Sequence, residues 1–270
     1  MHSSSAVLRL GVGLVLGCGL LLAECSPANA EIRSEGKKGL FTKVNGKAFG
    51  SCRSGVCKIS GGTSAGKNLF HRFSKFDTRG RIKGVEFDSV GKKNLIVGVT
   101  SPKGSFIDKS IGVSSSASLF WLSPGGIHLS QGASFINVPS LNLSTANTLR
   151  FGNGSFDVFR SRASDLTGLS GQPLPGVLGF LVDPDSDLAG GVNRSGIHLD
   201  GIDVSIDESL YVDAIDDALT VRSSTVSLDS SDTVGGSLTL TGESVDLGGT
   251  TRFSATGANG GGAIQVGGSW

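Results

Sequence analysis

The feature that most constrains the fold is a repeat of apolar pairs in the last third of the chain. Each pair has one small or polar residue between its members, and the pairs recur with a constant 19-residue period. The two series are Leu219/Val221 with Leu238/Leu240, and Val226/Leu228 with Val245/Leu247 and Ile264/Val266. One fixed period with apolar pairs in phase is typical of a solenoid, whose repeats stack on their neighbours. We therefore predict that each period forms one triangular coil of three short strands, with the pairs from Leu238 onward in the interior.

A second pattern extends the β prediction to the middle of the chain, residues 94–146. The residues expected to point inward are Ile127, Leu129, Ala133 and Phe135, and those expected to point outward are His128, Ser130, Gly132 and Ser134. Such alternation predicts strands with one buried face. Turn residues interrupt it at 124–126 and 131–132, as expected of a chain with 42 glycines in 270 residues. This segment alone fits a solenoid or a sandwich, but the 19-residue period and the repeated "GIHL" at 126 and 196 favour the solenoid.

Three stretches depart from the repeat. Residues Glu31 to Gly66 are predicted to form a cap of short strands and loops. The segment "NLFHRFSKF", Asn68 to Phe76, is bounded by nearby glycines, and we predict an irregular segment whose aromatic side chains plug the open end of the solenoid. The proline-containing stretch from Asp165 to Gly191 is predicted to protrude as a loop or hairpin.

Residues 1–30 have the pattern of a secretory signal peptide. Arg9 precedes an apolar run from Leu10 to Ala23, and Ala28 to Ala30 supplies small residues for cleavage. A membrane anchor would need about 20 apolar residues, which is more than this run contains. Lipidation at Cys18 or Cys25 fits the flanking residues poorly, and both alternatives stay open.

The predicted mature chain keeps two cysteines, Cys52 and Cys57, in "CRSGVC". In an exported protein we expect them to form a disulfide, which would stabilise the fold by about 2 kcal/mol for so short a loop. A redox pair would favour two intervening residues rather than four, and a metal site would need further ligands nearby.

The charge is unevenly distributed although the net charge is +1. Residues 31–110 carry 17 Lys and Arg against 6 Asp and Glu, whereas residues 111–270 carry 6 Arg, no Lys and 16 Asp and Glu. The basic residues are scattered among turns with few aromatic residues between them, so the pattern favours a solvated basic face over nucleic-acid binding. We expect a monomer without a nucleic-acid partner.

Candidates for catalysis are few. The mature histidines are His71, His128 and His198, and the sequence indicates no partners for a nucleophilic triad. An acidic cluster consists of Asp200, Asp203 and Asp207. These carboxylates are compatible with a polysaccharide-cleaving enzyme, but such clusters are commonly solvated edges. We therefore expect no catalytic residues.

A weak calcium site is the one metal-binding alternative. Asp183, Asp185 and Asp187 begin like a calcium loop, but Leu188 stands where the loop needs glycine and Arg194 where it needs glutamate. No phosphate-binding glycine loop or dinucleotide fingerprint is present in the sequence. We expect no cofactor and no metal.

Three stretches resemble a known family. They are "GGTSAGKNLFHRFSKFDT" at 61–78, "SLFWLSPGGIHLSQGASFIN" at 118–137 and "LNLSTANTLRFGNGSF" at 141–156. Together they are similar to the secretion domain of filamentous-haemagglutinin-type exoproteins, the passengers of two-partner secretion. The resemblance covers Glu31 to Phe156 closely and the glycine-rich repeats to Trp270 in style. It divides the chain into a signal peptide (1–30), a secretion domain (31–160) and continuing β-helix repeats (161–270).

The resemblance implies a right-handed parallel β-helix, here with an N-terminal cap and protruding hairpins. It also implies export through the periplasm of a Gram-negative-type cell, to the medium or the cell surface. The expected partner is an outer-membrane β-barrel transporter with periplasmic receptor modules. Long family members act as adhesins, haemolysins or contact-dependent toxins, so binding to a cell surface or polysaccharide is expected. The rival function is a β-helical polysaccharide lyase or hydrolase.

The residues expected to carry transporter recognition and the local structure follow from the resembling stretches. They are Asn68, Leu69, Phe70, Phe73 and Phe76, together with Ser123, Pro124, Gly125, Gly126 and Ile127. In place of Ser123 to Ile127 the family commonly has Asn-Pro-Asn-Gly-Ile. This chain matches that motif only at Pro124, Gly126 and Ile127. No Asn-Pro dipeptide occurs anywhere in the sequence, and Lys109 replaces a usual glycine.

Overall fold

The computed structural model of the protein describes residues 30–36, 39–174, 180–181 and 195–268. Nearly all of its regular structure is β, wound into a solenoid of about eight turns, so the predicted fold class is confirmed. Within these residues no helix is both long and apolar enough to cross a membrane. The predicted signal peptide lies outside the described residues except for Ala30.

The elements fall into four groups along the chain. The first comprises β1 (Ile32–Ser34), β2 (Thr42–Val44), β3 (Lys47–Ala48), β4 (Ser51–Cys52), β5 (Gly55–Gly61) and β6 (Thr63–Ala65). The second comprises β7 (Asn68–Asp77), β8 (Ile82–Phe87), β9 (Asn94–Val99), β10 (Ser105–Ile107), β11 (Ser110–Val113), β12 (Ser118–Leu122), β13 (Ile127–Ser130), β14 (Ser134–Ile136) and β15 (Ser140–Ser144). The third comprises β16 (Thr148–Phe151), β17 (Gly154–Asp157), α1 (Ala163–Leu166) and β18 (Phe180–Leu181). The last comprises β19 (Ile197–Asp200), β20 (Asp203–Ser205), β21 (Ser209–Arg222), β22 (Thr225–Ser227), β23 (Ser237–Gly248), β24 (Arg252–Ser254) and β25 (Ala263–Gly268).

Parallel strands stack coil on coil along three faces. Face 1 contains the first part of β7, then β9, β12, β15, the first parts of β21 and β23, and β25. Face 2 contains the end of β7, then β10, β13, β19 and the second parts of β21 and β23. Face 3 contains β5, β8, β11 and β14, followed by β20, β22 and β24.

The coils are longer than the sequence period predicted. Strand pairs on face 1 define their length: Asn68 pairs with Asn94, Leu119 with Leu141, and Leu210 with Leu238. Each of these intervals is longer than the interval from Leu219 to Leu238 that defines the repeat. The predicted 19-residue coil is therefore wrong. The repeated "GIHL" segments do stack in register, because Ile127 pairs with Ile197 across the insertion.

The 19-residue lag connects neighbouring faces of successive coils. Val226 lies on face 3, Val245 on face 2 and Ile264 on face 1. Leu238 pairs with Ile264 on the next coil, whereas Val245 follows Leu238 within the same strand, β23. The step from Val245 to Ile264 is therefore one coil forward and one face back. Apolar pairs on all three faces look alike in the sequence. The sequence alone therefore does not show whether a 19-residue step leads to the same face of the next coil or to a neighbouring face.

Inward side chains from the three faces form one core along the solenoid axis. The predicted inward residues Ile127, Leu129, Ala133 and Phe135 are all buried, which confirms the alternation. Leu238 and Leu240 are fully buried, as expected. In the last coil Leu247, Ile264 and Val266 keep 44 or 45% of their surface exposed, because no described strand stacks beyond β25 and the end of β23. The prediction of a fully interior position is wrong for these three residues and for Val245, which is only partly buried against the core.

A cap closes the N-terminal end, as predicted. β1 runs antiparallel to β4 and β7, β2 runs antiparallel to β3 and β5, and β6 folds back on β7. Cys52 on β4 and Cys57 on β5 form the predicted disulfide, with Cα atoms 5.7 Å apart. Because β5 pairs in parallel with β8, the disulfide ties the cap to the first strand of face 3.

The segment Asn68 to Phe76 is not irregular. It forms most of β7, a strand of ten residues that pairs with β9 on face 1 and reaches β10 on face 2. Eight of its ten residues are buried, so both sides of the strand are covered. That double coverage hides the alternation expected of a strand with one solvent face.

The chain leaves the coils after β15 and returns at β19. β16 pairs antiparallel with β17 and β18, and α1 follows β17. We call residues 148–174 with 180–181 the inserted module. The excursion predicted at 165–191 therefore begins earlier, at residue 148, and folds against the solenoid. After residue 174 only residues 180–181 of the predicted stretch are described. The module packs on the outer side of face 1 through a second apolar cluster that includes Phe70, Ile96, Phe120, Phe151 and Phe156.

Candidate functional site

Asn68 opens β7 and holds the inserted module by its side chain. Its amide nitrogen donates to the backbone oxygen of Leu169 at 2.7 Å and to that of Gly171 at 2.8 Å. Its amide oxygen accepts from Asn94 Nδ2 at 2.8 Å. Asn68 and Asn94 pair on adjacent coils, so two stacked asparagines connect the first coils to the module. The Asn68 side chain therefore contacts a distant part of the chain rather than capping a local turn.

Phe70 points out of the solenoid into the second apolar cluster. Its ring lies 5.6 Å from the rings of both Phe151 and Phe156, centroid to centroid. Gly98 on β9, two residues after Ile96, leaves room for the Phe156 ring. A Cβ atom at Gly98 would lie 2.9 Å from that ring. The module is thus fitted closely to face 1.

Arg72 is a buried cation between the solenoid and the module. One of its terminal nitrogens donates to the backbone oxygens of Asp157 at 2.9 Å and Ser161 at 2.8 Å. Its guanidinium also lies 5.7 Å from the centre of the Phe156 ring. Burial lowers the pKa of Arg72 to about 10, and the nearby Glu35 and Asp157 carboxylates oppose that shift. Arg72 therefore stays charged at neutral pH and orients the turn after β17.

Phe73 and Phe76 lie in the main core and extend towards the second predicted segment. Their rings meet edge to face at 5.2 Å, and Phe76 meets Trp121 in the same way at 4.5 Å. Leu69 is buried in the same core. Trp121 is the largest fully buried side chain, and its Nε1 donates to Ser105 Oγ at 3.0 Å.

The segment Ser123–Ile127 forms the corner between faces 1 and 2. Ser105 Oγ donates to Ser123 Oγ at 3.0 Å, and Ser123 Oγ donates to the backbone oxygen of Gly126 at 2.8 Å. The hydroxyl chain therefore continues from Trp121 to the corner and connects the two predicted segments.

The two glycines of the corner have different constraints. Gly126 has a φ of +108°, a backbone conformation that residues other than glycine rarely adopt. Gly125 is not in that region, so a positive φ is not what requires glycine there. A Cβ on Gly125 would instead lie 2.4 Å from the backbone oxygen of Ser101 and 2.6 Å from the nitrogen of Gly104. The close approach of the preceding coil excludes a side chain there.

Sequence reasoning missed the inserted module as the partner of β7. One signal was available: Asn153-Gly154 joins apolar residues at 149, 151 and 156, which is a strong indication of a hairpin. The burial of Arg72 had no sequence signal, because a single arginine between aromatic residues reads as solvent-exposed.

Of the catalytic candidates, His128, His198 and Asp200 line one shallow pocket on face 2, whereas His71, Asp203 and Asp207 do not line it. His71 is fully buried, its Nδ1 lies 3.2 Å from Thr42 Oγ1, and burial lowers its pKa to about 3. His128 and His198 stack on each other at 4.8 Å on the outer side of face 2. The acidic residues Asp200, Asp203 and Asp207 are exposed. Among the described residues no group of three metal-ligating side chains is present, and the calcium candidates Asp183, Asp185 and Asp187 lie outside them.

The fold and these contacts define the class of protein: a capped parallel β-solenoid with an inserted module clamped on its first coils. Residues 42–172 match the family model described as the TPS secretion domain. The chain therefore carries a two-partner secretion domain of the filamentous-haemagglutinin type, and the resemblance seen in the sequence is confirmed. A search of curated proteins found no match.

The family defines the general role. Domains of this family serve secretion and are recognised by outer-membrane TpsB transporters, and the family is not an enzyme family. The chain is accordingly an exoprotein of a two-partner system, exported across the outer membrane to the medium or the cell surface.

Proposed function

We propose that a partner transporter recognises this chain through Asn68–Phe76 and Ser123–Ile127, and that the exported solenoid presents an adhesive surface. The proposal includes removal of residues 1–30 as a signal peptide, passage through the periplasm, and a secretion domain that spans residues 31–160. The observation that supports it best is that both segments lie within the matched residues 42–172 and are connected through Phe76, Trp121 and Ser105.

The expected recognition step is strand addition. Periplasmic receptor modules would bind an unfolded, β-prone segment along a free sheet edge or groove. Residues 68–77 suit this step because they form one long strand with large apolar side chains on both sides. Outside the cell the same strand would stack on β9 and bury these side chains, and later coils would add one by one.

A secretion assay tests the proposal. The chain and its variants are produced in cells with the partner transporter present or deleted, and the culture medium and the periplasm are compared by immunoblotting. Asn68→Ala and Gly125→Val are expected to accumulate in the periplasm after signal cleavage. A double variant, Asp200→Ala with Asp203→Ala, is expected to be exported normally, because these exposed side chains lie outside both segments.

A stability control separates recognition from folding. Leu238→Ala removes a fully buried side chain outside the matched residues and should cost about 2–5 kcal/mol of stability. It is nevertheless expected to leave the cell. Export of the unaltered chain without the transporter would refute the proposed function, and retention of Leu238→Ala would show that stability alone controls export.

A further inference from the structure

The N-terminal cap and the inserted module face each other across a cleft of about 790 Å³. One wall is formed by residues 39–42 and 48–49 of the cap, and the opposite wall by residues 159–163 of the module. Arg72 and Thr100 lie between them. The volume lies within the range of about 300–1,000 Å³ that is common for ligand pockets.

Two phenylalanines of the cap line this cleft with most of their surface exposed. Phe41 is 72% and Phe49 64% exposed, the first and third highest values among the exposed large apolar residues described. Both have a left-handed backbone, with φ of +62° and +57°, as does the neighbouring Leu40 at +55°. This conformation is unfavourable for bulky residues, and such strain is concentrated at functional sites.

The cleft is also positively charged. Arg160 and Arg162 lie on the module wall, and Arg72 is buried between the walls. Glu35 is the one carboxylate among the lining residues that the structure describes, and it accepts a hydrogen bond from Thr100 Oγ1 at 2.5 Å. Two guanidinium groups on the module wall, those of Arg160 and Arg162, against one carboxylate favour a ligand that carries negative charge, and arginine binds carboxylates in a bidentate manner.

The two-residue strand β3 lies at the edge of the cleft. β3 is the last strand of its sheet and pairs with β2 alone among the described strands. Ala48 of β3 lines the cleft beside Phe49. A free edge next to apolar side chains is the arrangement that binds extended peptides by strand addition.

We infer that this cleft binds an extended peptide segment of another protein that carries a large apolar side chain and at least one carboxylate. The apolar side chain contacts Phe41 and Phe49, and the carboxylate contacts the arginine-lined module wall. This site goes beyond the proposed function: both walls exist only in the folded protein, whereas the proposed transporter step acts on the unfolded chain.

The test uses the full folded chain and fluorescein-labelled tetrapeptides. The probe is Glu-Phe-Glu-Val, and the two matched controls are Gln-Phe-Gln-Val and Glu-Ala-Glu-Ala. Fluorescence anisotropy is expected to show saturable binding of the probe, at least about tenfold tighter than that of either control. Binding of the probe should weaken with added salt, because charge contributes to it.

The variant Phe41→Asn with Phe49→Asn separates binding from folding. Asparagine tolerates positive φ better than phenylalanine, so the melting temperature should not fall. Affinity for the probe should drop at least about tenfold. Val90→Asn alters another exposed apolar residue outside the lining of the cleft and should bind like the unaltered chain. Arg162→Gln should reduce the preference for the acidic probe over its glutamine control.

Three outcomes would overturn the inference. The first is absence of saturable binding by the probe, and the second is unchanged affinity in the double asparagine variant. The third is binding to phosphatidylglycerol vesicles that this variant abolishes while the peptides do not bind, which would assign the cleft to a lipid surface.

Discussion

Asn68→Ala should detach the inserted module from the first coils. The side chain is 1% exposed and connects β7 to the backbone oxygens of Leu169 and Gly171. Alanine removes both donors without introducing a new contact. It also removes the acceptor of Asn94, although Asn94 Nδ2 keeps Gln172 Oε1 within 3.4 Å.

The structure sets the expected magnitude. A buried polar group left without a partner costs about 1–3 kcal/mol. Two carbonyl oxygens lose their donor, and Asn94 loses little because of its second acceptor. We therefore expect Asn68→Ala to lower the free energy of unfolding by about 2–4 kcal/mol. The loss should be local at first, since the module can loosen while the coils remain stacked.

Urea unfolding gives the global change, and hydrogen exchange shows where it occurs. Exchange should accelerate in residues 148–174 and remain slow in β12, β13 and β15. A matched variant, Asn153→Ala, removes an amide donor to Gly168 at an exposed site and should cost well under about 1 kcal/mol. A loss of stability below about 0.5 kcal/mol for Asn68→Ala, or faster exchange throughout the solenoid, would refute the role of Asn68 in holding the inserted module.

Three further predictions concern the histidines, the disulfide and the corner. Burial lowers the pKa of His71 to about 3, and it is also the main cause that lowers the pKa of His128 to about 4. As the pH falls, these histidines therefore take up protons in the unfolded chain before they do so in the folded chain. Urea midpoints should therefore be constant above about pH 7 and fall from about pH 6.5 towards 4, and a flat profile would contradict this. Denatured, unreduced mature protein should show no free thiol, and reduction should cost about 2 kcal/mol; two titratable thiols would exclude the bond. Gly125→Val should lower the stability by at least about 1–3 kcal/mol, because the backbone of the preceding coil occupies the space of the new side chain. Gly152→Val places its side chain in open space and should leave the stability nearly unchanged, as measured by thermal unfolding. Equal losses of stability in the two variants would contradict the close approach at Gly125.

Residues whose neighbours are local in sequence were predictable. The alternation at 127–135 depends on one strand and one core, and it matched the structure. The Cys52–Cys57 bond closes a short loop, so spacing and export were sufficient. The corner at Pro124–Gly126 was predicted from its turn residues, but the requirement for glycine at position 125 was not. Its constraint comes from Ser101 and Gly104 on another coil, which no local rule reports.

Features that depend on distant contacts were missed. β7 read as irregular because the inserted module buries its outer side, so the apolar Phe70 lies where a strand with one solvent-exposed face would carry a polar residue. Phe70 was expected to plug the end of the solenoid, but it packs under the hairpin of β16 and β17, which comes much later in the chain. The Arg72 guanidinium likewise donates to backbone oxygens at and beyond the end of β17, those of Asp157 and Ser161. The two segments of the proposed recognition site were found from the resemblance, whereas their connection through Trp121 required the structure.

The register of the last coils gives a direct test of the coil length. If Leu238 and Ile264 are stacked partners, alanine substitutions at both should couple by about 0.5 kcal/mol or more in a double-mutant cycle. Val245 and Ile264 are related by the 19-residue period but lie on different faces, so their substitutions should be closer to additive. Leu238→Ala alone should cost about 2–5 kcal/mol, and Ile264→Ala about 1 kcal/mol, because Ile264 is already 45% exposed. Stronger coupling of Ile264 to Val245 than to Leu238, measured by urea unfolding, would contradict the stacking of Leu238 on Ile264 and restore the shorter coil that the repeat in the sequence suggests.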